Sequence, residues 1–231
     1  MPSVSTLIDA ILATRCVLCR RLGSTCCNEC WGGLPFKQRF VVRSTNLTGV
    51  SAIDFDSTVG RLVNAFKESG HSVLAGRFAS AMTQPLLRFC ADRGLDSRGR
   101  IYLVPVPSRF SSIQKRGFSP GELVAKSLLA RLEPRFGDSL SPSGPRFSHR
   151  ADWVWRSLET SDQAVLGQQQ RKENLVNAMN ASARAAGKSV VLVDDIVTTG
   201  SSLAETARAL EAAGAQVVGF VTFAETILRK F

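Results

Sequence analysis

The sequence predicts an α/β fold, a mostly parallel sheet flanked by helices, preceded by a small cysteine-rich module. Three observations carry this. The run VVLVDDIVTTGSS, residues 190–202, passes from four apolar residues through two adjacent carboxylates into a loop of hydroxyls and glycine. Leu203, Ala207 and Leu210 then recur at helical spacing, Gly214 suits a helix stop, and Gln216 to Phe223 reads as the next strand. At the other end, Cys16, Cys19, Cys26, Cys27 and Cys30 crowd into fifteen residues.

Taken in order, Leu7, Ile8, Ile11 and Leu12 form one face of a short helix. The stretch around them lacks an early basic region and carries Asp9, so it is a poor signal peptide. No apolar run approaches the roughly 20 residues of a membrane span. The chain is therefore expected to be cytoplasmic, where disulfides are disfavoured. Cys16-x₂-Cys19 and Cys27-x₂-Cys30 are two knuckles whose thiolates can close a tetrahedral zinc shell. Cys26 reads as a spare, although a register with Cys26 as ligand stays open. A closed four-thiolate site is structural, and Trp31, Leu34 and Phe36 could dock it on the main domain. The expected organisation is a Cys₄ zinc module with a short helix over 1–45 and one domain over 46–231.

Ala52 to Phe55 reads as a strand, and Leu62, Val63 and Phe66 as an amphipathic turn ending at Lys67, by itself a solvated surface lysine. Leu74, Phe78, Met82 and Leu86 continue at four-residue spacing, with a kink expected at Pro85. Cys90 reads as a buried small hydrophobe. Ile101 to Val106 is a buried strand that must leave its sheet at Pro105 and Pro107. Residues 108–122, SRFSSIQKRGFSPGE, read as a basic, flexible loop in which Arg109 and Arg116 could fork onto phosphate oxygens. A helix marked by Leu123, Val124, Leu128 and Leu132 follows. Residues 133–162 show no period and read as a flexible lid or linker. Gln163, Leu166, Arg171 and Asn174 fit a helical run.

Asp194 and Asp195 end a buried strand, where ligands of open α/β sheets bind. Thr198, Thr199, Gly200, Ser201 and Ser202 open a helix, whose free N–H groups favour a phosphate. The net charge of +10 is uneven. Residues 98–126 hold six basic groups against one acidic, whereas residues 181–231 balance five against five. The excess thus belongs in part to the basic loop. A hydrolase triad finds no support, since the only histidines are His71 and His149.

The run at 190–202 resembles the signature of the type I phosphoribosyltransferases, which bind phosphoribosyl pyrophosphate (PRPP) on a Rossmann-like fold. The chain as a whole is similar to the ComF-like proteins, which join a four-cysteine zinc module to such a domain. The likeness rests on Cys16, Cys19, Cys27 and Cys30; on Lys67; on Val104 to Pro107, Arg109 and Arg116 to Phe118; on Arg156, Thr160, Gln163 and Leu166; and on Arg171 and Asn174. Ser119 and Pro120 stand where the family has Asn-Gln, Met179 where an aromatic is expected, and 133–155 is longer.

The resemblance implies transfer of the phosphoribosyl group from PRPP, with Mg²⁺, to an acceptor such as a nucleobase, releasing pyrophosphate. It implies that Thr198 to Ser202 hold the 5′-phosphate and that Asp194 and Asp195 hold the ribose hydroxyls. Lys67, Arg109 and Arg116 would meet pyrophosphate, Arg116 also offsetting charge on the leaving group, and Gln163, Arg171 and Asn174 would belong to a lid. The family is associated with natural competence and imported DNA. The rival expectation is a non-catalytic PRPP or nucleotide sensor associated with nucleic acid.

Overall fold

The computed structural model describes residues 14–42, 47–68, 71–95, 99–133, 145–157 and 178–227. Among these residues eight strands are seen: β1 (Arg39–Val42), β2 (Thr48–Asp54), β3 (Arg100–Pro105), β4 (Arg146–His149), β5 (Val154–Arg156), β6 (Met179–Ala181), β7 (Ser189–Val197) and β8 (Gln216–Glu225). Six form one sheet in the order β1-β2-β8-β7-β3-β4, and β5 and β6 form a separate antiparallel pair. Within the large sheet only β1–β2 is antiparallel. Among the described residues six α-helices accompany the strands: α1 (Asn28–Gly32), α2 (Ser57–Glu68), α3 (Leu74–Asp92), α4 (Phe110–Arg116), α5 (Pro120–Leu132) and α6 (Ser201–Ala212).

The sheet divides the core in two. Helices α2, α3 and α5 bury Leu62, Phe66, Phe78, Met82 and Leu128 against Val191, Val193 and Phe223. On the opposite face α6 buries Leu203 and Leu210 against Val190, Leu192 and Phe220, with Trp153 and Met179. Alternation along β7 sends its side chains to the two layers in turn. Gly219 on β8 is required by close approach. A Cβ there would stand 2.4 Å from the Thr48 carbonyl oxygen and 2.5 Å from Phe89 Cζ. It lies at the register shift between Val190 and Val191 on the neighbouring strand.

Several expectations need correction. The 108–122 segment is not a plain flexible loop. It folds into α4, stopped by Gly117 in the left-handed region at φ +79°, and then into α5, opened by Pro120. The irregular stretch 133–162 is not all lid or linker, because its described residues 145–157 include β4, paired in parallel to β3, and β5. Such short strands are too brief to show a period. Helix α3, by contrast, spans Leu74–Asp92 with Pro85 inside it, as the four-residue spacing predicts. Finally, β7 continues past the acidic pair to Val197 because β8 runs beside it to Glu225.

The helix expected around Leu7–Leu12 and the residues Thr160, Gln163, Leu166, Arg171 and Asn174 lie outside the described residues. Among those described, no helix is long and apolar enough to cross a membrane.

Candidate functional site

The sheet opens where β3 leaves it. Partner residues run from Ile101 and Ser189 to Pro105 and Val193, and one further bond joins Val106 N–H to the Val193 carbonyl 3.0 Å away. After that Pro107 turns the chain away, while β7 keeps β8 on its other flank. Asp194 and Asp195 are the first β7 residues without a β3 partner. Chain order also reverses here, since β3 is followed outward by β4 while β7 and β8 lie on its other side. Open α/β sheets place their ligand crevice at such a switch point.

Asp195 is 2% exposed. Its Oδ2 has no hydrogen bond of good geometry, and its partner is the Lys67 ammonium 3.0 Å away. Lys67 is in the last turn of α2, where three buried residues of the same helix, Leu62, Val63 and Phe66, fix its direction. It is thus no ordinary surface lysine, and it meets a carboxylate. Asp194 is half-buried, and its Oδ1 accepts the Asp195 N–H at 2.9 Å. Burial pushes the Asp194 carboxyl well above the usual carboxylate range and the charge on Asp195 adds to this, while Lys67 pulls it down. Two carboxyl groups therefore share one ammonium. Such a cluster can accept hydroxyl donors or more positive charge.

The loop beyond turns at Gly200, which is buried with φ +80° and ψ 5° and forms the N-cap of α6. Only glycine enters this region without steric cost. Thr199 Oγ1 lies 2.9 Å from Ser201 Oγ and 3.4 Å from the Ser201 nitrogen. The first helical bond, Ala204 N–H to the Gly200 carbonyl at 2.9 Å, leaves the earlier amides of α6 without an intrahelical acceptor. Thr198 and Thr199 are exposed; Ser201 and Ser202 are half-exposed. Hydroxyls and amides at a helix start suit an oxyanion.

Arg116 ends α4 and donates to Glu68 Oε1 at 2.7 Å, beside Lys67 in sequence; its Nε is buried without a partner. Arg109 is exposed at the start of α4, between Ser108 and Phe110. Those two residues line a cavity of about 450 Å³ together with Pro105, Val106, Pro107 and Trp155. Phe110 is 70% and Trp155 48% exposed, so large ring surface faces this space. Arg156 ties β5 to the strand-end turn by donating from Nε to the Pro107 carbonyl at 3.0 Å.

The sequence reading passed over Glu205, a buried acid on α6. It accepts the Met179 N–H at 3.1 Å and two bonds from Arg208 at 2.7 Å each, pinning β6 to α6. Burial opposes its charge, but these donors outweigh burial and hold the carboxyl below its ordinary value. Its signal was an acid among the inward positions of an amphipathic helix, with arginine three residues on. Ser51 and Thr222, hydrogen-bonded inside the sheet, are a second omission; alternation alone could not expose them.

In the N-terminal module, the ligand atoms of Cys16, Cys19, Cys27 and Cys30 all lie within 4.8 Å of one another, and this group could hold a metal ion. The Cys27 N–H points to Cys16 Sγ at 3.4 Å and the Cys30 N–H to Cys27 Sγ at 3.5 Å. Burial works against the Cys16 thiolate, yet N–H donors from Cys19, Cys27 and Leu18 bring it to about 6. Cys26 is excluded from the cluster. It is buried in the helical core layer, where burial and the charge of Cys16 push its thiol up to about 11. Cys90 is likewise buried, its thiol raised to about 12. Trp31 stacks on Phe223 at 5.9 Å and Leu34 is buried, so the module docks on the main core.

Comparison with known proteins bears on the family. Residues 112–229 match the phosphoribosyl transferase domain family. The chain is 30% identical over 207 residues to the DNA utilization protein YhgH of Salmonella typhimurium, covering 90% of this chain and 81% of that protein. It is 28% identical over 216 residues to the protein of the same name from Escherichia coli K12, covering 94% and 85%. Among solved structures it is similar to an orotate phosphoribosyltransferase from Aeropyrum pernix, with 16% identity, coverage of 85% and 78%, and a TM-score of 0.35.

Proposed function

We propose, for a chain that belongs to the phosphoribosyl transferase domain family and carries its type I fold, that it binds PRPP at the β7–α6 turn and transfers the phosphoribosyl group to an acceptor. The observation that supports this most is the under-neutralised pair Asp194 and Asp195, placed on β7 where β3 has left the sheet and followed five residues after Asp195 by the Gly200 turn into a helix start.

In this reading the amides and hydroxyls of Thr198 to Ser202 hold the 5′-phosphate. Asp194 and Asp195 accept from the ribose hydroxyls and fix the ring. Transfer breaks the bond between the anomeric carbon and pyrophosphate, which leaves with the electron pair. The acceptor nitrogen forms the new bond and gives up its proton to the released pyrophosphate or to water. Positive charge grows on the ribose as pyrophosphate departs, so preorganised positioning and electrostatics lower the barrier. Mg²⁺ fits an acidic edge with one ammonium for two carboxyl groups, and when bound with PRPP it would neutralise pyrophosphate oxygens. Lys67, Arg109 and Arg116 are the cations assigned to the pyrophosphate side, with Gln163, Arg171 and Asn174 in the lid that excludes water. The cavity walled by Phe110 and Trp155 lies at the carboxyl end of β3 and suits a flat acceptor such as a nucleobase. Zinc is the metal assigned to the four cysteines, in a cytoplasmic setting that keeps thiols reduced.

The test is calorimetric titration with PRPP and Mg²⁺, followed by pyrophosphate release with a panel of bases. Asp194→Asn with Asp195→Asn should lower PRPP affinity at least ~100-fold, about 2.8 kcal/mol, in a protein that stays folded. Unchanged affinity discards the site. A second reading, PRPP or nucleotide sensing without turnover, is favoured by one observation: Arg116 is already committed to Glu68. Ligand binding without pyrophosphate release, beside steeply salt-dependent DNA binding, would support it.

A further inference from the structure

A continuous file of rings joins the cysteine module to the carboxylate site. Trp31, on α1 between the second knuckle and the main domain, stacks on Phe223 with centroids 5.9 Å apart and planes at 12°. Phe223 stacks on Phe78 at 3.9 Å and 9°. Phe78 meets Phe66 edge-on at 5.1 Å, and Phe66 meets Phe118 at 5.6 Å. Phe66, Phe78 and Phe223 are fully buried, so the file has no slack to water.

Both ends of the file touch chemistry. Phe66 immediately precedes Lys67, which pairs with Asp195. Phe118 follows Arg116 by two residues, and Arg116 pairs with Glu68 on the same turn of α2. Phe223 lies on β8 between the partners of Asp194 and Ile196, beside Asp195 itself. At the module end, Arg77 on α3 lies over the Trp31 ring at 5.4 Å and donates to Asn28 of α1 at 2.8 Å. Packed rings transmit displacement because close-packed interiors cannot deform without opening voids.

We infer that Trp31 is a positioning residue for the carboxylate site: through Phe223, Phe78 and Phe66 it seats the last turn of α2, so that Lys67 meets Asp195. The four-cysteine module thereby serves the site as well as its own fold. The consequence for PRPP rests on the function proposed above; the consequence for Lys67 does not.

The experiment compares the full chain with its Trp31→Ala, Trp31→Leu and Trp31→Phe variants. Metal content and thermal unfolding identify variants that remain loaded and folded. Ligand-free protein is then labelled with a limiting amine reagent and Lys67 modification is followed by mass spectrometry, with exposed Lys126 as internal reference. Calorimetry measures PRPP affinity in parallel. Loss of the ring should raise Lys67 reactivity at least fivefold relative to Lys126 and weaken PRPP binding tenfold or more, and Trp31→Phe should restore both. Trp31→Leu keeps an apolar side chain if Trp31→Ala fails to fold. Unchanged Lys67 reactivity in any folded, metal-loaded variant without the ring overturns the inference. If the parent chain binds no PRPP, the proposed function fails while the Lys67 measurement still decides the ring file.

Discussion

The cysteine cluster and the acidic edge each gather like-charged groups, yet they resolve the repulsion in opposite ways. Four thiols within 4.8 Å of one another suffice to close a tetrahedral shell, leaving no open position. The acidic edge has two carboxyl groups and one ammonium, and Asp194, its pKa raised first by burial and then by the charge on Asp195, stays only partly compensated by Lys67. A cluster whose coordination shell one ion can fill is a fastening. A cluster left short of positive charge where a neighbouring strand has departed is a candidate for a ligand.

The largest effect should come from breaking the complete cluster. Cys19→Ser with Cys27→Ser, or chelation, should unfold residues 14–36, because a structural zinc contributes on the order of 10 kcal/mol to modules of this size. Loss of module amide protection together with metal release would be the readout; a module that keeps its protection without metal would show that its packing suffices alone.

Breaking the incomplete cluster should cost less. Lys67→Met leaves the 2%-exposed Asp195 without its ammonium. Removing one partner of a buried pair costs about 3 kcal/mol here, the low end of the usual range because Lys67 retains some water contact. Denaturant titration measures it, and a loss under 1 kcal/mol would mean that water or another cation replaces Lys67.

Gly200→Ala sharpens the comparison by leaving all charges in place. A Cβ in the left-handed region costs about 1–2 kcal/mol. The same denaturant titration should find that loss, together with weaker phosphate binding; an indifferent protein would imply a turn that can relax.

Asp194→Asn should act in the opposite direction and least of all. The folded-state pKa of Asp194 lies above its unfolded value. Its protonated form therefore stabilises the fold below the unfolded pKa, near pH 4, and that stability is lost as pH rises through the folded value. The variant should be more stable than the parent at pH 8, with the gap closing toward pH 4. Melting curves across that range check it, and a gap that widens on acidification would reverse the assignment.

Much of this was legible in the residues themselves. Val190–Ser202 announced a strand, an acidic edge and a helix start because local propensity and ligand-site chemistry coincide in one short run. The paired knuckles picked out four cysteines by spacing, and it is Cys27 rather than Cys26 that lies in the cluster. The lid positions Gln163, Arg171 and Asn174 remain expectations. By contrast, β4 and β5 were hidden in an irregular stretch, since strands of three or four residues draw their stability from a neighbour rather than from their own pattern.

What the sequence alone determined is therefore what depends on near neighbours: the knuckles, the glycine turn, the adjacency of Asp194 and Asp195, and the helical stripes. Tertiary structure decided which distant groups meet. It brought Lys67 across to Asp195, tied Arg116 to Glu68, and aligned Trp31 with Phe223 and Phe78. Those pairings depend on how helices lie on a sheet, and a one-dimensional pattern specifies which face is buried but not what it will be buried against.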